Sequence, residues 1–260
     1  MGSWRPPAAG NSPSRCKDAR MIDVQRYAVV SCHVERVLDD RVWGAFEALL
    51  RRPPAGFVVT PFLRPPDGAG ENEERWLERA RIAASLAPLG HHTHWGGATQ
   101  ARPLQGVDAE EVVRREVSWL RANGLAPRFF CGGGWFLDEG LARALASLDY
   151  VDCTATTFRQ SYLDSNAPRL ELKAPSRLRL AEGASLLELP ATHSLGMLGR
   201  SLHTLGGLVH IHFHDWELVV RKRALALRAV LLALRARRRP LRLDELAARC
   251  AGAPEIDWPS

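Results

Sequence analysis

Cysteine is scarce and scattered in this chain. Its five residues, Cys16, Cys32, Cys131, Cys153 and Cys250, are odd in number and form no C-x-x-C pair among 260 positions. That distribution indicates neither a disulfide framework nor a cysteine-built zinc site, and it fits a reducing compartment. Long hydrophobic runs are missing as well. No stretch approaches the roughly 18 apolar residues that a membrane span needs, and the first twenty residues, rich in Pro, Ser, Gly and Arg, hold no apolar core of a signal peptide. The expectation is a disordered leader over residues 1–20, one soluble and cytoplasmic domain over 21–260, and no membrane partner. The first predicted strand is followed by no G-x-G-x-x-G, which favours a closed barrel over an open dinucleotide-binding sheet.

What is present is an ordinary globular composition, 46% apolar and 25% charged, which excludes a disordered or collagen-like chain. The formal net charge is +6. Of the 35 Lys and Arg residues, nine lie between Arg221 and Arg242 with no acid among them, so the rest of the chain is slightly acidic, 26 against 29. The excess belongs to one late segment whose apolar residues have helical spacing, and no nucleic-acid-binding motif accompanies it. It reads most simply as a packed helix with a solvated cationic face.

From Tyr27 onward, short β-rich runs alternate with longer stretches of helical period, the pattern of an α/β fold with parallel strands. Strands are expected over 27–34, 56–63, 89–94, 128–131, 150–155, 186–190 and 208–214. Helices are expected over 41–51, 71–86, 108–120, 137–148, 216–238 and 243–250, with Asp108 as an N-cap and Pro53-Pro54 as a stop. The stretch 156–183 has no clear period.

In such folds reactive groups gather at the carboxyl ends of strands. Here those ends are rich in histidine. The first strand closes on His33-Val34-Glu35, the third on His91-His92-Thr93-His94, and the last carries His210, His212 and His214 before Asp215-Trp216-Glu217. Residues two apart on a strand face one side, so imidazoles and a carboxylate can converge there. Neutral imidazoles with a carboxylate suit zinc, with cobalt, nickel or iron as the other divalent ions such a set accepts.

Five stretches, between Tyr27 and Leu246, resemble the polysaccharide deacetylases of the NodB homology group, carbohydrate esterases. They are VSCHVE over 30–35, LGHHTHWGG over 89–97, FFCGGGW over 129–135 with LDYVDCTAT over 148–156, LLELPATH over 186–193, and HFHDWEL over 212–218. The resemblance implies a distorted (β/α) barrel and a metal-dependent hydrolase that removes an acetyl group from an N-acetylated sugar, a sugar-containing small molecule or a glycoconjugate. It places Glu35 and His92 on the metal and His214 as the acid for the leaving group. Trp95, Trp135 and Trp216 follow the site motifs and offer flat faces to a sugar ring. Gly133, within the glycine run, and His212 complete the expected substrate contacts.

Three positions depart from the family pattern. His33 stands where the family has an aspartate base, and an imidazole there can act as base or join the metal. Gly96 stands where a second metal histidine is expected, with His94 as the substitute and His91 as an alternative if it faces the site. The arginine common in the family's third motif is not evident in the FFCGGGW stretch. The rival reading is a catalytically impaired relative that keeps the fold as a ligand-binding or interaction module.

Overall fold

The computed structural model describes residues 23–259 apart from 69, 98, 104 and 159–168. The expected leader over 1–20 lies outside the described residues. The strands are β1 (Tyr27–Val34), β2 (Val59–Leu63), β3 (Gly90–Thr93), β4 (Phe129–Gly132), β5 (Val151–Asp152), β6 (Ser176–Arg179), β7 (Ser185–Glu188), β8 (His193–Ser194), β9 (Val209–His214), β10 (Arg239–Pro240) and β11 (Glu255–Asp257). The helices are α1 (Asp40–Arg51), α2 (Glu73–Leu86), α3 (Ala109–Ala122), α4 (Glu139–Ser147), α5 (Leu195–Ser201), α6 (Arg221–Arg235) and α7 (Leu243–Arg249).

The helices start where the sequence supplies an acceptor for orphan amide groups. Asp39 Oδ1 accepts from the amides of Arg41 and Val42, Asn72 caps α2, Asp108 caps α3 and Asp138 caps α4. Each such cap contributes about 1 kcal/mol. α1 then buries Val42, Trp43, Phe46, Leu49 and Leu50, a stripe at helical spacing that packs with Trp76 of α2 against β1, β2 and β9.

The sheet is mostly parallel, in the order β11-β6-β7-β5-β4-β3-β2-β1-β9-β8, with β10 also on β1. Among the described residues the single antiparallel strand pair is β6 with β7. The path has two ends, and a closed barrel is not shown. The segment between β7 and β8 contains Pro190, which lacks an amide donor and interrupts the ladder. On either side of it the chain changes partner: Leu189 donates to Asp152 O, Ala191 to Ala155 O and Thr192 to His210 O.

Two expectations are corrected here. The helix expected over 216–238 is divided: a tight turn spans Asp215–Val219, Val220 is extended, and α6 follows. Side-chain carboxylates hold the turn, with Glu217 Oε2 accepting from the His214 amide and Asp215 accepting from the amides of Arg36 and Trp216. The irregular 156–183 region contains β6, a four-residue strand between β11 and β7 that is too short for its period to be read.

Candidate active site

Parallel pairing of β1 with β9 sets His33 opposite His214, and pairing of β3 with β4 sets His92 opposite Cys131. Strand alternation turns His33 and Glu35 to one side, where His92 and His94 also arrive. The result is a convergence on a single oxygen. Glu35 Oε1 lies 3.4 Å from His94 Nε2, 3.6 Å from His214 Nε2 and 3.8 Å from His92 Nε2. Donor atoms of Glu35, His92 and His94 all lie within 4.8 Å of one another, and those of His33, His92 and Cys131 do likewise.

Protonation states follow from this packing. Burial drives the His33 imidazole well below its ordinary pKa, and the fields of His92, His214, His212 and His94 push it further the same way. His92 is lowered by burial against the opposing pull of Glu35. Burial alone would raise Glu35, yet the adjacent imidazoles of His92, His94 and His214 hold its carboxyl below the usual range. Cys131 is a poorer donor, because burial and the nearby carboxyls of Asp152 and Glu188 push its thiol well above the ordinary value.

The residues present fit a divalent metal. With His92 neutral, Nδ1–H donates to the Cys131 carbonyl at 2.8 Å, so the Nε2 lone pair faces the Glu35 carboxylate. Two electron-rich atoms in that arrangement call for a cation between them, and an imidazole anchored through its other nitrogen is the usual support of a metal ligand.

A cavity of about 460 Å3 opens on this cluster. His33, Glu35, His92, His212 and His214 form its polar floor, with Trp135 and Trp216 among its walls. Glu35 and His214 are 23% and 32% exposed while His92 and His94 are 3% and 4%, so the cluster is approached from the Glu35–His214 side. The rings of His92, His33, His212 and Phe158 stack in sequence, at centroid distances of 4.4, 5.6 and 5.6 Å. Trp135 packs edge-on against His212 with its backbone in the left-handed region, φ +61°. Such strain in a non-glycine residue is common beside functional sites.

Two expected substrate contacts take other places. Trp95 is buried, donates Nε1–H to the Gly133 carbonyl, and lines a neighbouring cavity of about 450 Å3 beside His94. Gly133 is a packing glycine: a Cβ there would lie 2.3 Å from Ala101 O and 2.5 Å from Thr93 O. His91 points away from the site, bonded to Glu116 and Tyr150. Sequence reasoning passed over Arg102, Ser194, Glu217 and Arg223, which reach the cavity from loops, from β8 and from α6. Arg223 pairs with Glu217 and lies over the Trp216 ring. Asp215, whose carboxyl burial raises to about 6, accepts from the Trp216 amide.

No protein-family model matches the sequence, and no curated protein matches it. Solved structures do. A 4-alpha-glucanotransferase from Thermococcus litoralis is similar over 90% of this chain and 40% of its own, with a TM-score of 0.56 and 14% identity. The likeness is one of fold. This chain therefore spans well under half the length of that enzyme. Weaker likenesses join it to a Bordetella bronchiseptica protein assigned as a polysaccharide deacetylase of O-antigen biosynthesis (TM-score 0.48, 15% identity, 86% and 91% of the two chains) and to a family 4 carbohydrate esterase from Streptomyces lividans (0.45, 12%, 88% and 90%).

Proposed function

We propose that this chain is a metal-dependent hydrolase that removes an acetyl group from an N-acetylated sugar or sugar-containing small molecule. The observation that carries the reading is the convergence of three imidazole Nε2 atoms on Glu35 Oε1, with His92 held in one tautomer from behind. Five motif-like stretches in the deacetylase order support the same reading.

Glu35, His92 and His94 would hold the ion. His94 thus takes the place that Gly96 leaves empty, and this weakens the rival reading of a non-catalytic module. A bound divalent ion supplies an electrophile for the acetyl carbonyl and acidifies water. The chain's own residues divide the remaining work. His33, neutral at ordinary pH, accepts a proton on its imidazole. His214, the more exposed of the cavity's imidazoles, delivers a proton from Nε2 to the leaving amine or alkoxide. Trp135 and Trp216 give a sugar ring apolar faces, and the buried floor excludes bulk water.

The test is metal content with activity. Protein purified without added metal is assayed for zinc, cobalt, nickel and iron, alongside Glu35→Ala and His92→Ala, and then for acetate release from acetylated sugars. Metal in the parent but not in the variants, with acetate release after loading, is the expected result. No metal in any preparation and no acetate after metal is supplied would end the reading. His33→Ala separates base from ligand: as a base it keeps the metal and loses the activity.

A further inference from the structure

Among the described residues the exposed large hydrophobic side chains are Val220, Leu225 and Leu232, at 41%, 55% and 68%. All three lie on α6 or immediately before it. The inner face of α6 is already satisfied by Leu227, Val230, Leu231 and Leu234, which are buried. Leu225 and Leu232 are two turns apart and so share one line of the outer face. No helix of the described residues is long and apolar enough to cross a membrane. That leaves open a helix lying on a membrane surface.

The charge around those leucines is of one sign. Arg221, Lys222, Arg228, Arg235 and Arg239 are exposed and make no ion pair among the described residues. The remaining cations of the segment are engaged: Arg223 with Glu217 and Trp216, Arg237 and Arg238 with the carbonyls of Leu202 and Leu205, and Arg242 with Asp244. Elements packed on α6 add no exposed acid, since Asp215 and Glu217 of the preceding turn are buried and α5 carries Arg200. At the far end of the helix Asp23 is the one carboxylate in a concavity with Arg26, Arg235, Arg237, Arg238 and Arg239.

We propose that the outer face of α6 docks on an anionic lipid bilayer surface. Leucines that must leave water and arginines that need anionic partners are satisfied together at a headgroup boundary, where acyl chains receive the former and lipid phosphates the latter. Other occupants meet only half of that requirement. A nucleic-acid backbone takes up the arginines but offers no ground for Leu225 and Leu232. A second copy of the same face sets cation against cation. Residues 1–22 carry Arg5, Arg15, Lys17 and Arg20 against a single acid, Asp18, and so have the same sign as the helix. The proposal does not depend on the hydrolase reading.

Cosedimentation of the full chain with two vesicle types tests it: phosphatidylcholine alone, and phosphatidylcholine with about one-third phosphatidylglycerol. Binding is expected to the anionic vesicles only, weakening about tenfold or more as salt rises, because the attraction acts over a Debye length. The double variant Leu225→Ser/Leu232→Ser is expected to lose about tenfold in affinity or more, as two leucines leave the boundary, and Arg228→Glu/Arg235→Glu to lose binding altogether. These side chains are exposed, so folding is checked simply by an unchanged thermal melt. No sedimentation with anionic vesicles at low salt overturns the proposal. So does binding that the leucine variant retains in full, tighter binding to duplex DNA at equal salt, or a dimer that only the leucine variant dissolves.

Discussion

The Nδ1–H of His92 donates to the backbone carbonyl of Cys131 at 2.8 Å, across the β3–β4 ladder, and so turns Nε2 towards Glu35. The acceptor is a main-chain atom of the neighbouring strand, so ligand geometry is tied to sheet register rather than to a mobile side chain. His94, two residues on, reaches the same carboxylate. If His94 is a ligand, His94→Ala weakens metal binding beyond the ~10–100-fold that supporting residues are worth. Restoring the family spacing with Gly96→His is expected not to rescue it, because the strand ends at Thr93 and residue 96 sits in a turn whose amide is tied to Gln100 O. Chelator competition measures both. Undiminished affinity in His94→Ala would remove it from the ligand set.

Much of this arrangement was legible from strand alternation. In a strand ending H-H-T-H, one face takes His92 and His94 and the other takes His91, and the structure follows that parity with His91 buried against Glu116 under α3. The same rule brought His33 and Glu35 together. It could not distinguish a wall from a support. Trp95 follows a histidine-rich strand end and Trp135 a glycine-rich one, yet one packs under α3 and the other faces His33, a difference decided by the path of loops whose composition has no period. The division of the 216–238 helix was hidden because its cause is tertiary: the amide of Arg36, from β1's side, fixes Asp215. Short edge strands such as β8 and β11 carry too few residues to alternate visibly.

Gly133 offers a mechanical test of how tightly the β3 and β4 ends are joined. An alanine Cβ would meet two carbonyl oxygens at 2.3 and 2.5 Å, neither of which can rotate away. Overpacking against backbone costs about 3 kcal/mol here, equivalent to roughly 6–12 °C in Tm for a chain of this size. Because one of those oxygens belongs to Thr93, between His92 and His94, metal affinity falls as well. A Gly133→Ala protein that melts within about 2 °C of the parent would show the two strand ends to be loosely coupled.

Asp152 and Glu188 are paired across β5 and β7 and fully buried. Asp152 Oδ1 already accepts from Cys153 N, Thr154 N and Thr154 Oγ1, and Glu188 Oε1 from Ala155 N. The two remaining oxygens have no donor among the described residues, so the pair must hold a proton. Burial and the neighbouring charge raise Glu188 well above its ordinary value. The unfolded chain releases that proton near pH 4.5 and the native chain does not, so this pair destabilises increasingly as pH rises above that point. Glu188→Gln supplies a permanent donor. It is expected to melt higher than the parent at pH 8 and close to it at pH 5, by thermal unfolding at the two values. A variant less stable at pH 8 would show that the pair does not carry its proton there.

His210 has the opposite slope. It lies beneath the site, bonded to Ser31 Oγ at 2.9 Å and to the Leu189 carbonyl at 3.3 Å, and burial lowers its pKa to about 4. Between pH 6.5 and 4 the unfolded chain binds a proton that the native chain refuses. The stabilisation is therefore complete above pH 6.5 and is lost as pH falls towards 4, amounting to about 3 kcal/mol across the window. His33 and His212, also lowered by burial, add in the same direction. Asparagine at 210 keeps a donor for Leu189 and does not titrate. The stability difference between pH 7 and pH 4.5, measured by urea unfolding, should then shrink by roughly 2–3 kcal/mol in His210→Asn relative to the parent. Equal differences in the two proteins would mean that His210 is protonated in the native state at pH 4.5, with Ser31 and Leu189 both accepting from the imidazolium.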